Sequence, residues 1–428
     1  MDIYKFLLIN LIYFAGISTA WSFGIGFYTI FRPVVAGMLT GVVLGDVALG
    51  MTAGAIVNIV YLDFVSFEDK LKGDPCLTAI IAVVAAIIFR INSIEAFAFA
   101  YLLGYLASFI WRFRLSINTF LFQKFNSKHI TELVLPQLIL LIMSIVLISV
   151  CFLIIFLLKD NFNRNYDFLS NLLFLSGIFI LLNSFFSNIF SKNNYNLVFI
   201  YLLTFLLLFF VKSILIVLAI IVFLIYYLVE TYKNLSKIKM ISSTSTMSKS
   251  SILKVWLLWM NYSYFSLEIA EKKEISSFDI IKDNISIQVI LSQIFALLCI
   301  YFALYENLTL LTSFSILFIV IIIYNSYSNF KVGFFNGKEA LIQRIVEINK
   351  SKLKKYFNIF FSILFIIVIV NIKLKYSILI DNNVSNIITI LIASLLFKVL
   401  SDGKIKEYYL MPIIYLLPLL ISIAVPRL

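Results

Sequence analysis

Apolar runs of about membrane-spanning length, broken by short polar or basic stretches, repeat from one end of this chain to the other. A bilayer-crossing helix needs about 20 mainly apolar residues, and by that measure segments near 6–30, 33–62, 76–90, 95–111, 134–158, 168–190, 195–211, 213–229, 285–304, 308–324, 356–372, 385–400 and 409–426 are predicted to lie in the membrane. The expected fold is an all-α, polytopic transmembrane helical bundle of about 11–13 segments. Short runs such as 76–90 and 385–400 are expected to be re-entrant or broken helices, which a membrane tolerates only where protein or a watery cavity covers the open backbone. Lys212-Ser213, in the middle of an apolar run too long for one span, reads as the turn of a helical hairpin.

Polar residues divide this pattern in two. Residues 233–251 form a Ser/Thr/Lys tract typical of a flexible linker, so a membrane domain over 1–232 and another over 252–428 are expected. Glycine is just as uneven. Gly16, Gly24, Gly26, Gly37, Gly41, Gly45, Gly50 and Gly54, eight of the chain's 14, lie in its first 54 residues. Gly37, Gly41 and Gly45 recur every four residues and so share one helix face, where a neighbouring backbone can approach closely.

Composition strengthens the membrane reading. At 62% hydrophobic residues and a mean hydropathy of +1.04, the 428-residue chain has too little polar surface for a water-soluble fold. The formal net charge of +12 would suggest nucleic acid in a soluble protein, but the basic residues gather in loops at 112–129, 230–255 and 331–355, opposed only by Glu230, Glu339 and Glu347. The positive-inside rule places those loops in the cytoplasm, and no nucleic-acid partner is expected. Cys76, Cys151 and Cys299 are far apart in or beside apolar segments, without disulfide or metal spacing.

Enzymatic chemistry finds little material. The single histidine, His129, sits in a basic loop without an acidic partner, so neither a Ser/His/Asp arrangement nor a histidine metal site can be assembled. There is no Walker-type phosphate loop. No catalytic residue, metal or cofactor is expected. Sugar binding, by contrast, needs carboxylates and amides that exchange hydrogen bonds with hydroxyls, backed by an apolar wall. Asp46, Asn58, Asp63 and Asp74 supply such groups at ends or breaks of apolar segments. On one continuous helix, Asn58 would be turned by about 120° from Asp46 and about 140° from Asp63. A common site therefore calls for a broken helix, and Gly50 and Gly54 are the expected breaking points. The alternatives are a helix cap for Asp46, a helix-interface hydrogen bond for Asn58, a solvated loop for Asp63 and a turn or helix start for Asp74-Pro75. Arg32 before Pro33 reads as a membrane-boundary residue.

Several of these residues carry a family resemblance. Arg32-Pro33, the run Gly41-Val42-Val43-Leu44-Gly45-Asp46, Gly50, Gly54, Ile59-Val60-Tyr61 and Asp74-Pro75-Cys76-Leu77 resemble the signature region of the C subunit (IIC) of mannose/fructose/sorbose-type sugar phosphotransferase systems. Past the linker, Lys254-Val255-Trp256, the Tyr264-Phe265-Ser266-Leu267-Glu268 run and the stretch 341–347 are similar to parts of the D subunit (IID). The Gly-Pro-Leu-Ala-Gly-x-Gly-Asp run of full-length D subunits is missing between Glu268 and Asn284.

The resemblance implies a fused C and shortened D permease in the bacterial plasma membrane, with inverted-topology halves and a sugar site between them. It adds Glu268 to the substrate-binding candidates and implies a hexose or amino-hexose substrate, trimeric assembly, and delivery to separate cytoplasmic A and B phosphocarrier components. The alternatives are a degenerate, non-transporting relative serving as membrane scaffold or receptor, and an intramembrane transferase, which the shortage of histidine disfavours. The orientation has a direct consequence. A cysteine introduced at Ser245 should resist an impermeant thiol reagent applied to intact cells and react after permeabilisation; efficient labelling from outside would reverse the assigned topology.

Overall fold

The computed structural model describes residues 2–17, 29–62, 73–107, 131–189, 214–222, 293–320, 359–371, 415–416 and 419. It is an all-helical bundle, as the apolar pattern predicts. In chain order the first-half helices are α1 (Ile3–Ile17), α2 (Pro33–Leu44), α3 (Val47–Val60), α4 (Pro75–Phe89), α5 (Ser93–Leu106), α6 (Thr131–Arg164) and α7 (Tyr166–Ile189). A helical stretch at 214–222 precedes α8 (Gln293–Leu304), α9 (Leu308–Val320) and α10 (Ile359–Asn371). The linker, the basic loops, the turn at 212–213 and the segment at 385–400 lie outside the described residues.

The single segment expected over 33–62 is two helices folded back on each other. Pro33 opens α2, where its missing N–H costs nothing. Gly45, at φ 95°, closes it in the left-handed conformation glycine tolerates best. The N–H groups of Gly45 and Asp46 both reach the Gly41 carbonyl, at 2.8 and 2.9 Å. Asp46 then caps α3, accepting from the Leu49 N–H at 3.0 Å. The break thus falls at Gly45-Asp46, and α3 runs unbroken through Gly50 and Gly54, contrary to expectation.

Those two glycines serve the packing instead. A Cβ on Gly37 would stand 2.6 Å from the Gly50 carbonyl oxygen, one on Gly41 2.9 Å from the Gly50 Cα, and one on Gly54 2.6 Å from the Pro33 carbonyl oxygen. The two backbones touch along the whole hairpin with no side chain between them.

A second hairpin follows the same plan. Gly73, at φ 129°, leads into the Asp74 cap and Pro75 at the start of α4. Asn92 caps α5 through its Oδ1, which accepts from the Ile94 and Glu95 N–H groups, while Glu95 Oε1 accepts from the Asn92 amide at 2.6 Å. This variant of the capping box ties the hairpin tip together.

Helices of 12, 14, 15 and 14 residues for α2 to α5 are about 18–22 Å long, short of the roughly 30 Å hydrocarbon layer. The two hairpins point the same way. Near their tips the hydroxyls of Thr52 and Ser93 meet at 3.2 Å; at their bases Tyr61 approaches Thr78 and the Asp74 N–H reaches the Gly104 carbonyl.

From Gly50 to its end, helix α3 is buried on all sides. Ala53, Ile56, Val57 and Val60 join a core with α1 and α4 to α7, whereas Met51, Ala55, Ile59 and Leu62 join one with α2, α8 and α10. Helix α6 faces outward: its apolar stretch Leu138–Phe162 leaves Ile142, Val146, Leu153 and Phe156 exposed, Phe156 by 73%, as a lipid-contacting helix should. Replacing Gly41 by Leu would push a side chain into the α3 backbone. Overpacking typically costs about 1–3 kcal/mol, so thermal unfolding in detergent should show a clear loss of stability; an unchanged midpoint would mean the seam is not closed in solution.

Candidate functional site

The base of the paired hairpins is where the polar side chains collect. Asp74 is fully buried. Its Oδ1 accepts from the Leu77 N–H at 2.9 Å and caps α4, and its Oδ2 accepts from the Tyr13 hydroxyl of α1 at 2.6 Å. The backbone of the same residue is engaged too. Its N–H donates to the Gly104 carbonyl at 2.8 Å, and its carbonyl accepts from the Thr78 N–H at 3.0 Å and the Thr78 hydroxyl at 2.6 Å. A carboxylate in an apolar layer is costly unless such bonds surround it, and here α1 and α4 supply them together.

Two glycines make that arrangement possible. A Cβ on Gly104 would run into the Thr78 hydroxyl, and one on Gly73 would stand 2.7 Å from the Tyr61 hydroxyl. Tyr61 and Thr78 oxygens lie 3.4 Å apart, and the Tyr61 ring packs against Tyr101 at a centroid distance of 6.0 Å. The polar chain from Tyr13 through Asp74 and Thr78 thereby ends on α3.

Asn58 lies one turn before that end. It is fully buried, and neither its Oδ1 nor its Nδ2 has a hydrogen-bond partner among the described residues. An amide left with no partner at all would forfeit about 1–3 kcal/mol for each unmet group, and native proteins leave few buried amides in that state. The helical repeat sets it on the face of Met51, Ala55 and Leu62, toward the core shared with α8 and α10. In the hairpin register it stands one turn beyond Gly54, which meets Pro33, so it lies near the start of α2. Arg32 occupies the N-cap position at that end, without a side-chain cap bond, and is only 3% exposed.

Asp46 is placed elsewhere. It is exposed at the hairpin tip, twelve residues and hence about 18 Å along α3 from Asn58. The structure therefore brings Asp74 and Asn58 to the same end of the hairpins and leaves Asp46 at the opposite one. Asp63 and Glu268 fall outside the described residues. Cys76, Cys151 and Cys299 are free and buried, and among the described residues no group of His, Cys, Asp and Glu is arranged to hold a metal.

Several participants escaped the sequence reading. Tyr13 and Thr78 look like ordinary members of apolar helices, and only the fold brings them to Asp74. Gly104 carried a weak signal as a lone glycine in a helical run. Glu95 carried a stronger one, an acid inside an apolar stretch preceded by a capping residue at the right spacing; it is buried and bonded to the Asn92 amide.

Among known families, the one described as the PTS system sorbose-specific IIC component matches residues 3–228, more than half of the chain. The chain belongs to this family. It is accordingly a membrane component of a sugar phosphotransferase system, and the short capped hairpins and the polar cluster at their base lie within the matched region. Searches of curated proteins and of solved structures gave no significant match. The cap assigned to Asp46 can be checked in this IIC protein: Asp46→Ala should cost about 0.5–2 kcal/mol of stability and Asp46→Ser should restore most of it. Failure of serine to restore stability would mean the carboxylate does more than cap.

Proposed function

We propose that this chain is the sugar-translocating component of a mannose-family phosphotransferase system, binding a hexose or amino-hexose and passing it to a separate cytoplasmic phosphorylating component. The observation that carries this reading is the fully buried amide of Asn58, within the matched IIC region, which has no hydrogen-bond partner among the described residues. An amide offers donors and an acceptor on one plane, which suits a pair of ring hydroxyls. Aromatic side chains in the adjoining core, among them Tyr301 and Phe302 of α8, belong to the apolar layer in which such a ring would be held.

The remaining assignments are part of the same proposal. Residues 1–232 act as the C-like domain, which the end of the family match at residue 228 supports; 233–251 are the cytoplasmic linker, and 252–428 are a shortened D-like domain. Asp63 and Glu268 are proposed further contacts to the sugar, while Asp46 shapes the hairpin tip. The protein is placed as a multi-pass homo-oligomer, a trimer by resemblance, in the bacterial plasma membrane. Phosphoryl transfer takes place on the separate A and B proteins.

Calorimetric titration of purified protein with a panel of hexoses and amino-hexoses, alongside uptake in cells lacking other hexose carriers, tests the reading. Saturable binding of at least one sugar is expected. Asn58→Leu should abolish that binding while raising the thermal midpoint, because it removes an unmet polar group at similar volume. Absence of binding in folded wild-type protein would favour the scaffold or receptor reading; retained binding in Asn58→Leu would remove Asn58 from the site.

A further inference from the structure

We infer that Tyr13 is a positioning residue for transport that acts through Asp74, and that the Asp74 carboxylate orients the hairpin bases without touching the sugar. The inference rests on the sugar-binding reading above. A carboxylate that holds a sugar must turn at least one oxygen toward it. Asp74 commits both oxygens to the protein, Oδ1 to the Leu77 N–H at the α4 N-terminus and Oδ2 to the Tyr13 hydroxyl, whereas Asn58, equally buried, commits neither its oxygen nor its nitrogen to any described residue. Bonds of the Tyr13 type, from a hydroxyl to a carboxylate, are short and strong, and the 2.6 Å separation fits that class.

The position of Tyr13 gives the bond its meaning. It lies on α1, outside both hairpins, and is itself completely buried. Through Asp74 it is linked to α4 by the cap, to α5 by the Gly104 carbonyl, and through Thr78 to Tyr61 at the end of α3. Asn58 stands three residues before Tyr61 on that helix. Each link joins a different element, so the Tyr13 hydroxyl ties α1 to the one residue from which these bonds reach both hairpins. A sugar held by Asn58 would feel this network through the alignment of α3, not by contact.

Tyr13→Phe, Asp74→Asn and the double variant, measured for sugar affinity by calorimetry and for maximal uptake rate, test the inference. The probe is whichever of mannose, fructose, sorbose and glucosamine the wild-type protein binds most tightly. A positioning role predicts affinities within about twofold of wild type, uptake lowered about tenfold in each single variant, and no further fall in the double variant, because the two residues share one interaction. Asp74→Asn that loses affinity about tenfold or more while Tyr13→Phe keeps wild-type affinity and uptake would place the carboxylate on the sugar and overturn the inference. An equal loss of affinity in both single variants would reduce Tyr13 to a structural role and overturn it as well. If Asp74→Asn does not fold, Tyr13→Phe decides alone: wild-type uptake overturns the inference, and lowered uptake at unchanged affinity upholds it. Wild-type protein that binds no sugar overturns the underlying reading, whereas the other contrary outcomes overturn this inference only.

Discussion

Helix ends are the expensive part of a helix in an apolar layer, since the first N–H and last C=O groups have no partner within the helix and no water replaces one. Four short helices of this protein end within one compact block, and the local sequence provides for each start. Arg32-Pro33, Asp46, Asp74-Pro75 and Asn92 open α2 to α5, three of them through a side-chain cap. Gly45 and Arg90 close α2 and α4 in the left-handed conformation. The remaining features follow from drawing these short capped helices together. Glycine draws α2 and α3 together until their backbones touch, and the second hairpin is pinned where Asp74 meets Gly104.

That arrangement separates two kinds of buried polar group. Asp74 is surrounded by donors and joins elements, which is how a charged group can persist at such depth. Asn58 is equally buried and has neither donor nor acceptor satisfied among the described residues. Natural proteins leave few such groups unmet, and those they leave often mark a site where a ligand completes the bonding. On the proposed reading the two residues share one end of the hairpins with different duties, one holding the shape and the other meeting the sugar.

Much of this was readable in the chain. The apolar runs announced an all-helical membrane bundle, and the resemblance at 32–77 falls inside the stretch that the family match covers. The glycine face was visible at four-residue spacing, but its partner was not, because a repeat shows which face is smooth and not which backbone lies against it. Gly50 and Gly54 were expected to break a helix, yet they complete a seam; glycine permits both outcomes, and the neighbouring α2 decided between them. Asp46 as a cap was one of two open readings. Tyr13 offered no signal at all, since its bond to Asp74 spans 61 residues and exists only once α1 packs against α4.

The account turns on what completes the bonding of Asn58. A structure of the protein determined with bound sugar, at a resolution that shows the ring hydroxyls, tests it most directly. The account predicts sugar hydroxyls within hydrogen-bond distance of the Asn58 amide while Asp74 keeps its bonds to Tyr13 and Leu77. A sugar bound away from Asn58, with the amide satisfied by another protein group, would contradict it.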